Sequence, residues 1–267
     1  NAPPSIKRSF AYCKLPIQAM KTFGKQHDAT VNDVLLTLLD MAMTRYLDER
    51  HPEQRIRPLQ PLVADMPVAL GGSEQGGNRI AVLQIPLGAP KANPMRRLED
   101  ICEHSREIKD QIRHESAAAM TMHTAAIHAI PALAELLGIK HPPTLANTVI
   151  SNPFGYPQRC YLGGAEVEMA LPLAVLAPGQ SLNITAATYD DSLQIAFMGI
   201  AKETPDIQLL ADYTRAAFDE LSAACGDTPS AESGATNMPS NIPPRKAKTV
   251  KVIRPPAAAK PKRTARK

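Results

Sequence analysis

The 267-residue chain has only four cysteines, Cys13, Cys102, Cys160 and Cys225, and no two form a Cys-x-x-Cys pair. That scatter excludes a zinc ribbon and a dithiol redox motif, and free thiols of this kind point to a reducing compartment. No uninterrupted apolar run reaches the roughly 18 residues expected of a spanning helix. Membrane contact is therefore expected to be peripheral. The opening Asn1-Ala2-Pro3-Pro4-Ser5 lacks the charged start and apolar core of a secretory signal, and its missing methionine suggests the later part of something longer. Acids are absent from one region altogether. From residue 242 onward stand ten of the 30 Lys and Arg and none of the 26 acids, which leaves the preceding residues with a net charge of about −6.

What is present begins with 44 % hydrophobic residues, enough for a sizeable core in one or two domains. The most organised stretch is residues 30–47. Thr30 followed by Asp33 has the form of a capping box, in which each side chain accepts from a backbone N–H otherwise left unpaired. Behind it, Val31, Val34, Leu35, Leu36, Leu38, Leu39, Met41, Ala42, Met43, Tyr46 and Leu47 cover nearly the whole circumference of a helix. Such a helix is buried all round. Asp40, Thr37, Thr44 and Arg45 interrupt it and favour a protein core over a membrane. The Asn32-Asp33 pair in its first turn has two readings. The pair satisfies local backbone, or it joins the positive end of the helix dipole in facing a cavity where charge develops during a reaction. The local pattern leaves both open.

Along the rest of the chain, residues 7–16 alternate as a strand, and residues 17–24 form a short helix ended at Gly24. Residues 59–70 read as a strand that its two prolines assign to an edge or make irregular. The glycines at 71, 72, 76 and 77 match neither a P-loop nor a dinucleotide fingerprint and mark a loop before a strand from Arg79 to Leu87. Pro94 opens an amphipathic helix whose Met95, Leu98, Ile101, Cys102, Ile108 and Ile112 pack inward, while Arg96, Arg97, Glu99 and the other charges face solvent. Helix continues through residues 117–128, followed after Pro131 by a shorter one ending at Gly138. His123 and His128, five apart, do not share a face as metal ligands would. Residues 146–152 form a strand, residues 160–171 a hairpin about Gly163-Gly164, and residues 181–200 a stronger hairpin turning at Asp190-Asp191. Asp206 is placed to cap a final helix. Strands and helices mixed in this order indicate an α/β or α+β sandwich layer over residues 1–225. Residues 226–267, rich in Pro, Ala and Lys and poor in large apolar side chains, are expected to be a disordered basic tail that attracts phosphate without reading bases.

Several of these stretches, in order, resemble the C-terminal half of the bacterial wax ester synthase/diacylglycerol acyltransferase family. They are Arg8-Ser9-Phe10-Ala11-Tyr12-Cys13-Lys14-Leu15-Pro16 leading to Ala29-Thr30-Val31-Asn32-Asp33, then Gly77-Asn78-Arg79-Ile80, Asn147-Thr148-Val149-Ile150-Ser151-Asn152, Tyr161-Leu162-Gly163-Gly164-Ala165, and Gly179-Gln180-Ser181-Leu182-Asn183-Ile184-Thr185. The resemblance implies an α/β fold, one half of a chloramphenicol-acetyltransferase-like sandwich with a mixed sheet packed by helices. It implies transfer of a fatty acyl group from acyl-CoA, as co-substrate with no bound cofactor, to diacylglycerol or a long-chain alcohol. It also implies an N-terminal partner half whose His-His-x-x-x-Asp-Gly motif supplies the general base. The family's Asn-Asp motif, close to that histidine, matches Asn32 and Asp33, which then support catalysis without being the base. Where the family has Asn-Val-Pro-Gly-Pro, this chain has Asn152-Pro153-Phe154-Gly155-Tyr156, which favours a structural role for that turn. None of the seven histidines sits in a His-His pair or in His-x-x-x-Asp. The base is therefore expected from the partner half and the chain alone to be inactive. The expected location is the cytoplasm, with peripheral contact at the inner membrane or lipid bodies. The alternative is a degenerate, non-catalytic half that uses its tail to bind a lipid surface or, less favourably, nucleic acid. A relative of peptide-synthesis condensation domains ranks last.

Overall fold

The structure, a computed structural model, describes residues 7–50, 60–69, 80–139, 146–153, 155–176 and 179–224. The glycine loop at 71–77 and the basic tail at 226–267 lie outside the described residues. In chain order the elements are β1 (Arg8–Pro16), α1 (Ile17–Gln26), α2 (Val31–Arg50), β2 (Val63–Ala69), β3 (Ile80–Pro86), α3 (Pro94–His114), α4 (Ala117–Leu136), β4 (Thr148–Ser151), β5 (Tyr161–Leu162), β6 (Ala165–Glu166), β7 (Leu182–Tyr189), β8 (Ser192–Ile200) and α5 (Gln208–Ala224). Six strands form one mixed sheet in the order β1-β8-β7-β4-β2-β3, and β5 pairs with β6 apart from it. The α/β class and the helix-packed mixed sheet are those expected from the sequence.

The alternation of β1 puts Ala11, Cys13 and Leu15 inward, where they join Leu193, Ile195 and Phe197 of β8 and Ile184 and Ala186 of β7. Helices α1, α2, α3 and α5 bury their apolar sides against this face. α2 has buried residues around nearly its whole circumference because it lies between α3 and α5 within that layer.

Several expectations are corrected. β2 is interior to the sheet, between β4 and β3. It tolerates Pro67 because β4 pairs with it only at Ala64 and Asp65, and the N–H of Val82 opposite Pro67 turns away to donate to Thr124 Oγ1 at 2.8 Å. The ladder asks for no proton where proline has none. The two helices expected around residues 117–138 are one, with Pro131 inside it. With a mean hydropathy of 1.2 over Ala117–Ala134, α4 is long and apolar enough to cross a membrane by length and composition, contrary to the expectation drawn from apolar runs. β6 is only two residues long, so the hairpin expected over residues 160–171 is shorter. The Asp206 carboxylate does not cap α5. It pairs with Arg50 at 2.8 Å, while its backbone carbonyl accepts from the N–H of Leu209.

Candidate active site

α2 starts where the sequence places it, and the capping box is made. The backbone N–H and the hydroxyl of Thr30 donate to Asp33 Oδ2 at 2.8 and 2.7 Å, and the N–H of Asp33 donates to Thr30 Oγ1 at 3.2 Å. Asp33 is 4 % exposed, and its other carboxylate oxygen is buried without a hydrogen-bond partner among the described residues. Asn32 is half-buried, and its side chain makes no hydrogen bond to another described residue. The two neighbours thus differ: Asp33 holds the helix start, while Asn32 has its carboxamide free at the positive end of the helix dipole.

A polar seam, not foreseen as a unit, runs along the same helix face. Asp33, Thr37, Asp40 and Thr44 follow one another at helical spacing. Thr37 donates back to the Asp33 carbonyl at 2.9 Å. Asp40, 1 % exposed, meets Arg97 of α3 at 2.5 Å, and Arg97 also donates to the Ala92 carbonyl and to Thr44 Oγ1. The expectation that Arg97 faces solvent is wrong: it is 6 % exposed. Its place could have been read, because it lies one turn before Ile101 on the inward stripe. Burial pushes the Asp40 carboxyl up to about 6, against the opposing pull of the Arg97 guanidinium. Gly88 is needed beside the pair, since a Cβ there would fall 2.7 Å from Arg97 Cγ and 2.8 Å from Asp40 Oδ2. Farther along, the Cys102 thiol is pushed up to about 11 by burial, with the Asp33 carboxylate acting in the same direction.

A second buried polar group occupies the opposite face of the sheet. Asp65 of β2 accepts from Gln84 Nε2 at 3.3 Å and from Gln180 Nε2 at 3.4 Å, and burial raises its carboxyl. Near it, Thr185 and Asn183 of β7 share a hydrogen bond. His123 is exposed, and His128 donates from Nδ1 to the Thr124 carbonyl at 2.9 Å, so neither joins a metal cluster among the described residues.

Two cavities among the described residues lie elsewhere. One of about 370 Å³ is lined by Thr44, Arg45, Glu49, Arg97, Tyr213 and Glu220, and one of about 260 Å³ by Tyr46, Leu47, Thr148, Ser181 and Leu210. Both open at the far end of α2, about 20 Å from Asn32 at 1.5 Å per residue. A segment that passes from Gly155 to Leu176 through the small hairpin leaves Tyr156, Tyr161, Leu162, Leu173 and Val175 exposed.

Comparison with known proteins adds the following. A family profile described as WS/DGAT C-terminal domain matches residues 76–222. A putative diacylglycerol O-acyltransferase of Mycobacterium tuberculosis is 34 % identical over 232 residues, which are 85 % of this chain and 46 % of that protein. The solved wax ester synthase/diacylglycerol acyltransferase of Marinobacter aquaeolei VT8 matches with a TM-score of 0.69 at 26 % identity, over 85 % of this chain and 51 % of that one. A condensation domain of the enacyloxin polyketide synthase matches with a TM-score of 0.50 at 12 % identity, over 90 % of this chain and 45 % of that one, a likeness of fold alone. The chain spans about half the length of the relatives it matches.

Proposed function

The chain belongs to the wax ester synthase/diacylglycerol acyltransferase family and carries its C-terminal domain, and from that membership we propose that it is one half of an O-acyltransferase. The reaction moves a fatty acyl group from acyl-CoA to diacylglycerol or a long-chain alcohol, and a companion N-terminal half supplies the histidine base. In it the base removes the alcohol proton, the alkoxide oxygen attacks the thioester carbonyl, and the tetrahedral oxyanion collapses with loss of the CoA thiolate, which takes the proton back. Asp33 is a positioning residue that fixes the start of α2. Asn32 presents a free carboxamide at the positive end of the helix, suited to hold the companion's base or to steady the oxyanion.

The single observation that carries this reading is the half-buried, unbonded Asn32 on a helix start locked by the Thr30 and Asp33 bonds. The exposed apolar side chains of residues 155–176 support the companion half, since exposed apolar clusters on a soluble fold mark interfaces. The cytoplasm, with contact at the inner membrane or lipid bodies, is the setting this reading calls for.

The test is reconstitution. The purified chain alone is expected to give no acyl ester from acyl-CoA and diacylglycerol or hexadecanol. Co-expression with a half bearing His-His-x-x-x-Asp-Gly restores turnover. Asn32→Ala in that complex lowers kcat by roughly a hundredfold, as loss of an oxyanion donor does, with KM and stability little changed. Turnover by the isolated chain, or an unaltered kcat in Asn32→Ala, would overturn the proposal.

A further inference from the structure

α4 has two apolar faces and only one of them is covered. Met120, Ile127 and Ala134 are buried, and Thr124 on that side receives the Val82 N–H of β3. On the opposite side Met122, Ala126, Ala129, Ile130, Leu133 and Leu136 recur at spacings of three and four and are exposed, Met122 by 74 % and Leu136 by 83 %. They form an apolar stripe that runs about 20 Å, four turns of the helix. No Asp, Glu, Lys or Arg occurs anywhere in residues 117–134.

The treatment of the polar groups decides what the stripe fits. Thr121 donates to the Ala117 carbonyl at 2.7 Å, Thr124 to the Met120 carbonyl at 2.9 Å, and His128 to the Thr124 carbonyl. Thr121, Thr124 and His128 are thus turned back on the helix's own backbone, which a surrounding without hydrogen-bonding partners allows. A protein partner would bring about one hydrogen bond per 100–200 Å² and a polar rim, and the stripe offers nothing to receive them. An acyl-chain phase asks for none. Because the other face is committed to β3, α4 cannot be surrounded by lipid and can only lie along its surface.

We propose that α4 is a lipid-surface docking element, which sets the stripe from Met122 to Leu136 into the acyl region of a bilayer or lipid-body monolayer. The inference goes beyond the acyltransferase reading and does not depend on it. With no basic residue in the helix, its docking is hydrophobic and indifferent to anionic headgroups. That separates it from any contribution of the basic segment after residue 242, which would be electrostatic and salt-sensitive.

The test is flotation of the full chain with vesicles of phosphatidylcholine alone and with added phosphatidylglycerol, at low and high salt. Wild type is expected to float with phosphatidylcholine alone at both salt levels. The triple variant Ile130→Gln, Leu133→Gln, Leu136→Gln, at exposed positions where Gln keeps the helix, should bind more weakly by about tenfold per side chain replaced, with an unchanged far-UV spectrum. Failure of wild type to float with phosphatidylcholine, binding only to phosphatidylglycerol vesicles at low salt, or wild-type binding by the triple variant would each overturn it. A second pair of measurements separates this proposal from the preceding one. Tyr161→Gln, Leu162→Gln should weaken capture of the companion half and leave flotation intact, while the α4 variant does the reverse. Loss of the companion half by the α4 variant with flotation retained would assign the stripe to a protein interface and sink the lipid proposal.

Discussion

Replacing Arg97 with Met tests how the fold tolerates a carboxylate that is 1 % exposed. In the native chain burial pushes Asp40 from its ordinary 3.8 up to about 6, with Arg97 pulling the other way. An acid whose folded pKa is raised binds more protons folded than unfolded between those values. Stability from this group therefore falls as pH rises from about 4 to about 6 and is level above that. Without Arg97 the downward pull is lost and the folded value rises further, so the decline continues beyond the point where the native chain levels off. The ionisation part of the loss is then close to zero at pH 5 and on the order of 1 kcal/mol at pH 7. Loss of the hydrogen bonds to Ala92 and Thr44 adds about 1–2 kcal/mol at every pH. Together these come to about 2–3 kcal/mol at pH 7, at the low end of or below the roughly 3–5 kcal/mol usual for stranding one member of a buried pair, because native Asp40 already bears much of its burial penalty. Urea unfolding followed by far-UV circular dichroism is the suitable assay, since the chain has no tryptophan. A loss of about 3–5 kcal/mol at pH 5 that does not grow with pH would refute the reasoning, because Arg97 would then be holding Asp40 fully ionised. The double variant Asp40→Leu, Arg97→Met should lie within about 1 kcal/mol of native, as apolar replacements of buried pairs do.

Two further outcomes follow from geometry. In Gly155→Ala the new Cβ would lie 1.8 Å from the Thr188 carbonyl oxygen and 2.5 Å from its nitrogen, backbone atoms that cannot rotate aside. The bonds from Tyr156 N–H to the Thr188 carbonyl and from Asp190 N–H to the Tyr156 carbonyl should open, with amide exchange there faster by about tenfold or more; unchanged exchange at both amides would contradict it. Burial pushes the thiols of Cys13 and Cys102 up to about 12 and about 11, whereas Cys160 is partly exposed. Iodoacetamide at mildly alkaline pH should therefore modify Cys160 well before the other two, read by peptide mass spectrometry, and equal rates at the three would contradict the burial.

The features legible in the sequence were those made by neighbours. Thr30 and Asp33 close a box three residues apart, Pro94 opens α3, and Asp190-Asp191 turns a hairpin whose register runs unbroken from Leu182 to Gly199. What stayed hidden was made by residues far apart. Asp40 and Arg97 are 57 positions from one another, and Asp65 reaches Gln180 across 115. An isolated acid in an otherwise apolar helix announces a partner but does not name it. Pro131 misled because a local rule against helix-internal proline gave way to the packing of Met120, Ile127 and Ala134 beside β3. Asn32 and Asp33 stand out in the sequence as a pair, and the division of labour between them needed coordinates, since only these distinguish a bonded carboxylate from an amide with no described partner.

The sheet also dictates an order of events during synthesis. Among the described strands β1 pairs only with β8, so Arg8 waits for Ile200. At a ribosomal pace of about 5–20 residues per second that interval is on the order of 10–40 seconds. Through it the nascent chain carries α2, greasy around its whole girth, without the α5 surface that later covers one of its flanks. α2 is thus made well before the helix that shelters it, which makes this domain a natural client for the chaperones that meet unfinished chains.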